Sequence, residues 1–105
     1  MSMPITFDQA GGAIFTKQCK VTSLFLGLDG VNDPQITIYD NPSAASGKQV
    51  LPTTIFDASI LGLNGFTLAG DAALDFLEGI YVLVEASGGG AFGGTLEGTI
   101  GVIPK

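Results

Sequence analysis

Turn signals break this chain about every eight to twelve residues, and that spacing constrains its fold more than any other feature. DGVNDP at 29–34, NPSAASG at 41–47 and SGGGAFGG at 87–94 each close an apolar segment too short for an ordinary helix. The segments between them, such as QITIYD and GIYVLVEA, are rich in β-branched and aromatic residues. QITIYD alternates, with Ile36 and Ile38 on one face and Thr37 and Tyr39 on the other. Short strands in such a series form an all-β sandwich or barrel. With 105 residues the chain makes one domain, 1–105, large enough for a core without metal or disulfide staples.

The expected strands are PITFD at 4–8, GGAIFTKQ at 11–18, CKVTSLFLGL at 19–28, QITIYD at 35–40, KQVLPTTIFD at 48–57, GFTLAG at 65–70, GIYVLVEA at 79–86 and TLEGTIGVI at 95–103. Strict alternation in 19–28 puts Val21, Ser23 and Phe25 on one face and Thr22, Leu24 and Leu26 on the other. Both faces are partly apolar, as in a central strand covered on both sides. Pro52 cannot donate to a ladder, so its strand is an edge or is interrupted there. ASILGLNG at 58–65 reads as a loop with a short strand or a turn of helix. DAALDFLEG at 71–79 has two readings: a helix from Asp71 to Gly79, or a strand followed by a turn at Leu77–Gly79. The all-β context favours the second. The sum is a small antiparallel β-sandwich, jelly-roll-like, with seven or eight strands. Its expected core includes Leu24, Leu26, Ile36, Ile38, Ile80, Val82, Val84, Ile100 and Val102.

Charge excludes several functions. Ten acids face four lysines, for a net charge of −6, and there is no Arg or His. Binding to nucleic acid needs clustered cations, which are missing. Without His there is no Ser-His-Asp or Cys-His set, and the commonest general base and metal ligand are gone. Charged residues make up only 13% of the chain, so part of the surface is expected to be buried against other chains. The single cysteine, Cys19, is expected to pack as a small apolar residue rather than act as a reactive thiol. The start, MSMPITFDQAGGAIF, lacks a basic stretch followed by an apolar one, and no apolar run is long enough for a membrane helix. A protein made in the cytoplasm, without a membrane partner, is the expectation.

Three motifs invite chemical readings. Gly88, Gly90 and Gly93 satisfy G-x-G-x-x-G and follow a strand. A dinucleotide loop must open a helix within a βαβ unit, whereas here GTLEGTIGVIPK follows, β-branched and broken by Gly. The plain reading is a flexible connection between antiparallel neighbours, 79–86 and 95–103, with Phe92 at its tip as an interface anchor or on a loose end. Asp29, Asn32 and Asp33 in DGVND miss the EF-hand spacing and read as an Asx-rich turn rather than a calcium site. Asp71, Asp75 and Glu78 would share one helical face, as a solvated acidic stripe rather than a catalytic pair. The chain is expected to be no enzyme and to use no cofactor or metal.

At ITIYD followed by NPSAASGKQVL, and again at FLEGIYVLVEAS, the sequence resembles small β-sandwich virion proteins of tailed bacteriophages. The resemblance spans about residues 20–103 and rests on strand and turn patterns. It implies a capsid decoration or cement protein that binds the assembled head through the major capsid protein, as a homo-oligomer with a trimer first, and is located in the virion. Placement in the tail, neck or fibre base is the alternative. A carbohydrate- or ligand-binding β-sandwich is a second one, although the chain has no Trp and only two Tyr for stacking. The loops of small residues are the expected contact elements: Ser43, Ala44, Ala45 and Ser46 in one, and Gly89, Gly90, Ala91, Phe92 and Gly93 in the other.

Overall fold

A computed structural model describes residues 3–59, 64–67 and 74–105. It contains β1 (Met3–Asp8), β2 (Gly12–Phe15), β3 (Cys19–Leu28), β4 (Pro34–Asp40), β5 (Gln49–Ile55), β6 (Asn64–Thr67), β7 (Leu74–Phe76), β8 (Ile80–Ala86) and β9 (Leu96–Pro104). The readings of 58–65, 65–70 and 71–79 fall partly on 60–63, 68–70 and 71–73, outside the described residues. Where 71–79 is described, it is a strand and then a bend at Leu77–Glu78, not a helix.

The chain is one long hairpin folded over on itself. Its central loop joins β4 to β5. Working outward, β3 pairs with β6 and β7, β2 with β8, and β1 with β9, all antiparallel. Two further pairings, β3–β9 and β4–β8, join these nested arms into sheets ordered β1-β9-β3-β6 and β2-β8-β4-β5. β7 continues along the same edge of β3 as β6, so each sheet is four strands wide. Eight strand positions in this order make a jelly roll, the sandwich expected from sequence.

One connection differs from expectation. β8 and β9 are not neighbours: β8 lies between β2 and β4, and β9 between β1 and β3. The segment 87–95 therefore crosses from one sheet to the other. Facing sheets lie about 10 Å apart, which explains why a long glycine-rich link stands where a hairpin would use a two-residue turn.

The core fills the space between the sheets. Leu24, Leu26, Ile36, Ile38, Ile80, Val82, Ile100 and Val102 are all buried, joined by Phe7, Cys19, Val21, Phe76 and Leu96. Val84, expected with them, is half-buried at the margin. Val21 was expected to face away from Leu24. Instead a bulge at Thr22 breaks the register against β9, where Val21 opposes Val102 and Ser23 opposes Gly101. The extra residue shifts the alternation, so Cys19, Val21, Leu24 and Leu26 all point inward. Gly101 accommodates the bulge: a Cβ there would lie 2.5 Å from the Ser23 hydroxyl. The outer side of β3 is only half-buried, so this strand is covered on one face. Pro52 meets both expectations, since β5 is an edge strand and its ladder shifts register opposite Thr37.

At the opposite edge, Phe7 on β1 stands across from Gly98 on β9. A Cβ on Gly98 would fall within the Phe7 ring, so the ring lies over the glycine and seals the end of the core. Phe7→Ala should lower unfolding stability by about 3–5 kcal/mol. Gly98→Val should destabilise by about 1–3 kcal/mol through overpacking. Urea denaturation followed by circular dichroism would measure both, and the Gly98→Val loss should shrink in the Phe7→Ala background.

Candidate interaction surfaces

The strands run end to end between two loop clusters. At one end lie the β1–β2 turn, the β3–β4 turn, the segment after β5 and the 87–95 crossing. At the other lie residues 16–18, 41–48 and 77–79. The two loops expected to make contacts are thus on opposite ends, because Ala86 pairs with Pro34 and Ile80 with Asp40.

Loop 41–47 is built around Asn41. Its side-chain oxygen accepts the backbone N–H groups of Ser43 and Ala44, each at 2.9 Å, and its amide donates to the Ser46 carbonyl at 3.2 Å. The result is a compact knob with Ser43, Ala44, Ala45 and Ser46 exposed on its surface. Loop 87–94 is also ordered by hydrogen bonds. The Gly88 N–H donates to the Gln35 side chain at 3.1 Å and the Gly89 N–H to the Ala86 carbonyl at 2.8 Å, with Gly88, Gly89 and Gly90 all at positive φ. Gly90, Ala91 and Gly93 are exposed and Gly89 is half-buried. Phe92, expected as an interface anchor or on a loose end, is half-buried and packs against the core. An aromatic beside a gap between sheets gains more from that burial than from solvent.

The acidic motifs are spent on backbone amides. Asp29 accepts from the N–H groups of Val31 at 2.9 Å, Asn32 at 2.8 Å and Thr95 at 3.0 Å, and from the Asn32 side chain at 2.9 Å. These donors, the Asn32 side chain foremost, hold its carboxyl far below the usual range. It pins the β3–β4 turn to the start of β9, close against Gly94. Asp33 accepts the Ala58 N–H at 2.8 Å. DGVND is thus an Asx-rich turn. Asp75 sits on β7 between Lys105, at 3.2 Å, and Lys20, at 3.9 Å. Among the described residues no three acidic or thiol groups converge as metal ligands would.

Asp40, which was not singled out in the sequence, holds the other end. It is buried at the last position of β4. Its carboxylate accepts the N–H groups of Leu77 at 3.0 Å, Glu78 at 2.9 Å and Gly79 at 3.4 Å. Its own N–H donates to the Lys48 carbonyl at 2.8 Å, and the next N–H, of Asn41, to Gly79 at 3.2 Å. Desolvation pushes this carboxyl upward, but the three amides and the Lys48 ammonium outweigh it, leaving it below the usual carboxylate range. Gly79 has no room for a side chain, since a Cβ would lie 2.5 Å from the Phe15 carbonyl. Nearby Cys19 is wholly buried, and desolvation, with Asp40 close by, raises its thiol to about 11. It stays protonated and unreactive.

Two further surfaces emerge only from the fold. Tyr39 and Tyr81 are directly opposed on the outer face of the β2-β8-β4-β5 sheet, both half-buried. Open grooves flank the β1 and β2 edges. One, of about 700 Å³, is lined by Thr6, Asp8, Ile14, Glu97 and Thr99 among others. The other, of about 380 Å³, is lined by Met3, Ile14, Phe15, Lys17 and Pro104 among others. Charge is segregated along the strand axis. Lys17, Lys20, Lys48 and Lys105 all lie toward the Asp40 end together with Asp40, Asp75 and Glu78, while Asp8, Asp29, Asp33, Asp57, Glu85 and Glu97 lie toward the opposite end with no lysine among them. No family model, curated protein or solved structure matches this chain.

Removing the buried Asp40 carboxylate leaves three amide donors, one of them buried, without their acceptor, so Asp40→Ala should cost about 3 kcal/mol at pH 7. Because the folded-state pKa is depressed, this contribution is complete above the unfolded value of about 3.9 and disappears as pH falls through the lower, folded one. The stability gap between wild type and Asp40→Ala should therefore close below pH 4. Denaturation series from pH 7 to pH 2 would show it.

Proposed function

We propose that this protein is a structural component of a tailed-bacteriophage virion, most specifically a capsid decoration protein that binds the assembled head. The observation carrying this reading is how its two resemblance-bearing stretches meet. ITIYD and FLEGIYVLV come from distant parts of the sequence, yet β4 and β8 pair along their full length, and the Asp of the first accepts the amides of Leu77, Glu78 and Gly79 in the second. The two stretches thus form one structural unit in this fold. The jelly-roll order supports the reading more weakly, since capsid and lectin domains both use it and fold does not fix function.

No catalytic role is included. The best-placed carboxylates, Asp29 and Asp40, are occupied by backbone donors, and the one thiol is buried. A homo-oligomer made in the host cytoplasm and carried in the virion completes the proposal, with the major capsid protein as partner. Tail, neck or fibre base is the alternative location. The Tyr39–Tyr81 pair favours one other reading, a carbohydrate-binding module, because paired aromatics on an open sheet face can stack on a sugar.

With four lysines in the chain, contacts to a shell should be chiefly apolar and backbone-mediated, so binding should survive high salt. Co-sedimentation with undecorated capsids tests this, and release by moderate salt would contradict it. Ala44→Asp and Ala91→Asp probe the opposite loop ends without disturbing the core; the loop in contact should lose binding about tenfold or more. Shortening 88–93 is not a clean probe, because it removes Phe92 from the core and the span between sheets. If Tyr81→Ala abolishes retention on a glycan column while particles bind no protein, the carbohydrate reading replaces this one.

A further inference from the structure

We infer that β1 is a self-complementary edge at which two copies of this chain pair antiparallel about a twofold axis centred on Thr6. The other exposed edges are interrupted. β5 carries Pro52 and two register shifts, β2 has four residues and a shift, and the far edge of β3 is shared by two short strands. β1 alone keeps an unbroken register, from Met3 opposite Val102 to Asp8 opposite Glu97.

Its outward groups can be identified. The Gly101 carbonyl faces β3, where it accepts the Thr22 hydroxyl at 3.3 Å, so the Pro4–Gly101 pair is a non-hydrogen-bonded one. By alternation, the backbone groups of Pro4, Thr6 and Asp8 face the free edge. With Thr6 opposite Thr6, each Thr6 N–H donates to the Thr6 carbonyl of the other copy. Each Asp8 N–H donates to the other copy's Pro4 carbonyl. The remaining position would require Pro4 to donate to the Asp8 carbonyl. Pro4 has no N–H, and the Asp8 carbonyl already accepts from Gly11 N–H at 3.0 Å. The vacancy and the occupied acceptor thus fall opposite each other.

Charge selects the same orientation. Antiparallel pairing brings Asp8 and Glu97 of one copy beside the Met3 end of the other, where Lys17 lies. Parallel pairing would bring acid against acid. Such a pair extends one sheet continuously through both copies. It is a twofold unit, in place of the threefold one implied by the resemblance, and it stands apart from the virion reading.

Sedimentation equilibrium of the full chain at roughly 50 µM, a concentration suited to a modest interface, should give twice the 10.7 kDa chain mass. A monomer or a trimer would overturn the inference. Thr6→Pro removes the central donor but leaves the β9 ladder intact, and should give a monomer with an unchanged circular dichroism spectrum; a persisting dimer would overturn it. Should that variant fail to fold, Thr6→Cys decides. Hydrogen-bonded antiparallel pairs hold their Cα atoms about 5.5 Å apart, within reach of a short bis-maleimide crosslinker. With this reagent Thr6→Cys should therefore form a covalent dimer at least about tenfold faster than Val31→Cys, a fully exposed control, with Cys19 buried in both. Equal rates would overturn the inference. Neither result bears on particle binding, which the capsid assay reads separately.

Discussion

The carboxylate of Asp40 gathers amide hydrogens from three consecutive residues that no strand partner reaches. The bend that carries the chain from β7 in one sheet to β8 in the other would otherwise leave them unpaired, at a cost of about 1–3 kcal/mol for a buried donor such as the Gly79 N–H. By holding them, Asp40 fixes where β8 begins and so its register on β4. The β4–β5 loop starts at the same residue, which donates to Lys48. A single side chain therefore sets the turning point of the folded hairpin and the return of its second arm. Gly79 completes the arrangement by lying against the Phe15 carbonyl, where any larger residue would push β2 away.

The opposite end is organised by the same kind of chemistry with a different exposure. Asp29 links the β3–β4 turn to Thr95, and Gln9 accepts the Leu96 N–H at 3.3 Å. Both anchor the first residues of β9 after its crossing between sheets. Because Asp29 is in solvent, its role is one of geometry more than of energy. The acids of this end thus direct loops, and the clustering of negative charge there is partly a by-product of how turns are capped.

Much of this was legible from the residues. QITIYD alternates cleanly, so its inward positions could be read directly; GIYVLVEA showed itself as a strand by its unbroken apolar run, and Pro52 announced an edge or a break. The failures share a cause. Alternation predicts a face only while the period holds, and the bulge at Thr22 moved Val21 to the face opposite its expected one. Its trace in the sequence is indirect: Gly101, inside β9 and away from any turn, makes room for it. The 87–95 segment looked like a hairpin because its flanking strands are adjacent in sequence, and nothing local says that they belong to different sheets. Nor could Asp40 be recognised as a cap, since an Asp before Asn-Pro reads as turn composition and its partners lie 37 residues or more away. Which loops share an end likewise depends on sheet order, which no window of sequence contains.

The nested pairing has a consequence for how the molecule is made. Among the described residues β1 finds its strand partner in β9, and β2 in β8, so each waits for a segment far along the sequence. Closing such long loops before any reward places this topology among slow folders, on a scale of about milliseconds to seconds. Only the β4–β5 hairpin is local enough to form early, and its turning point is the Asp40 residue whose remaining bonds must await the arrival of residues 77–79.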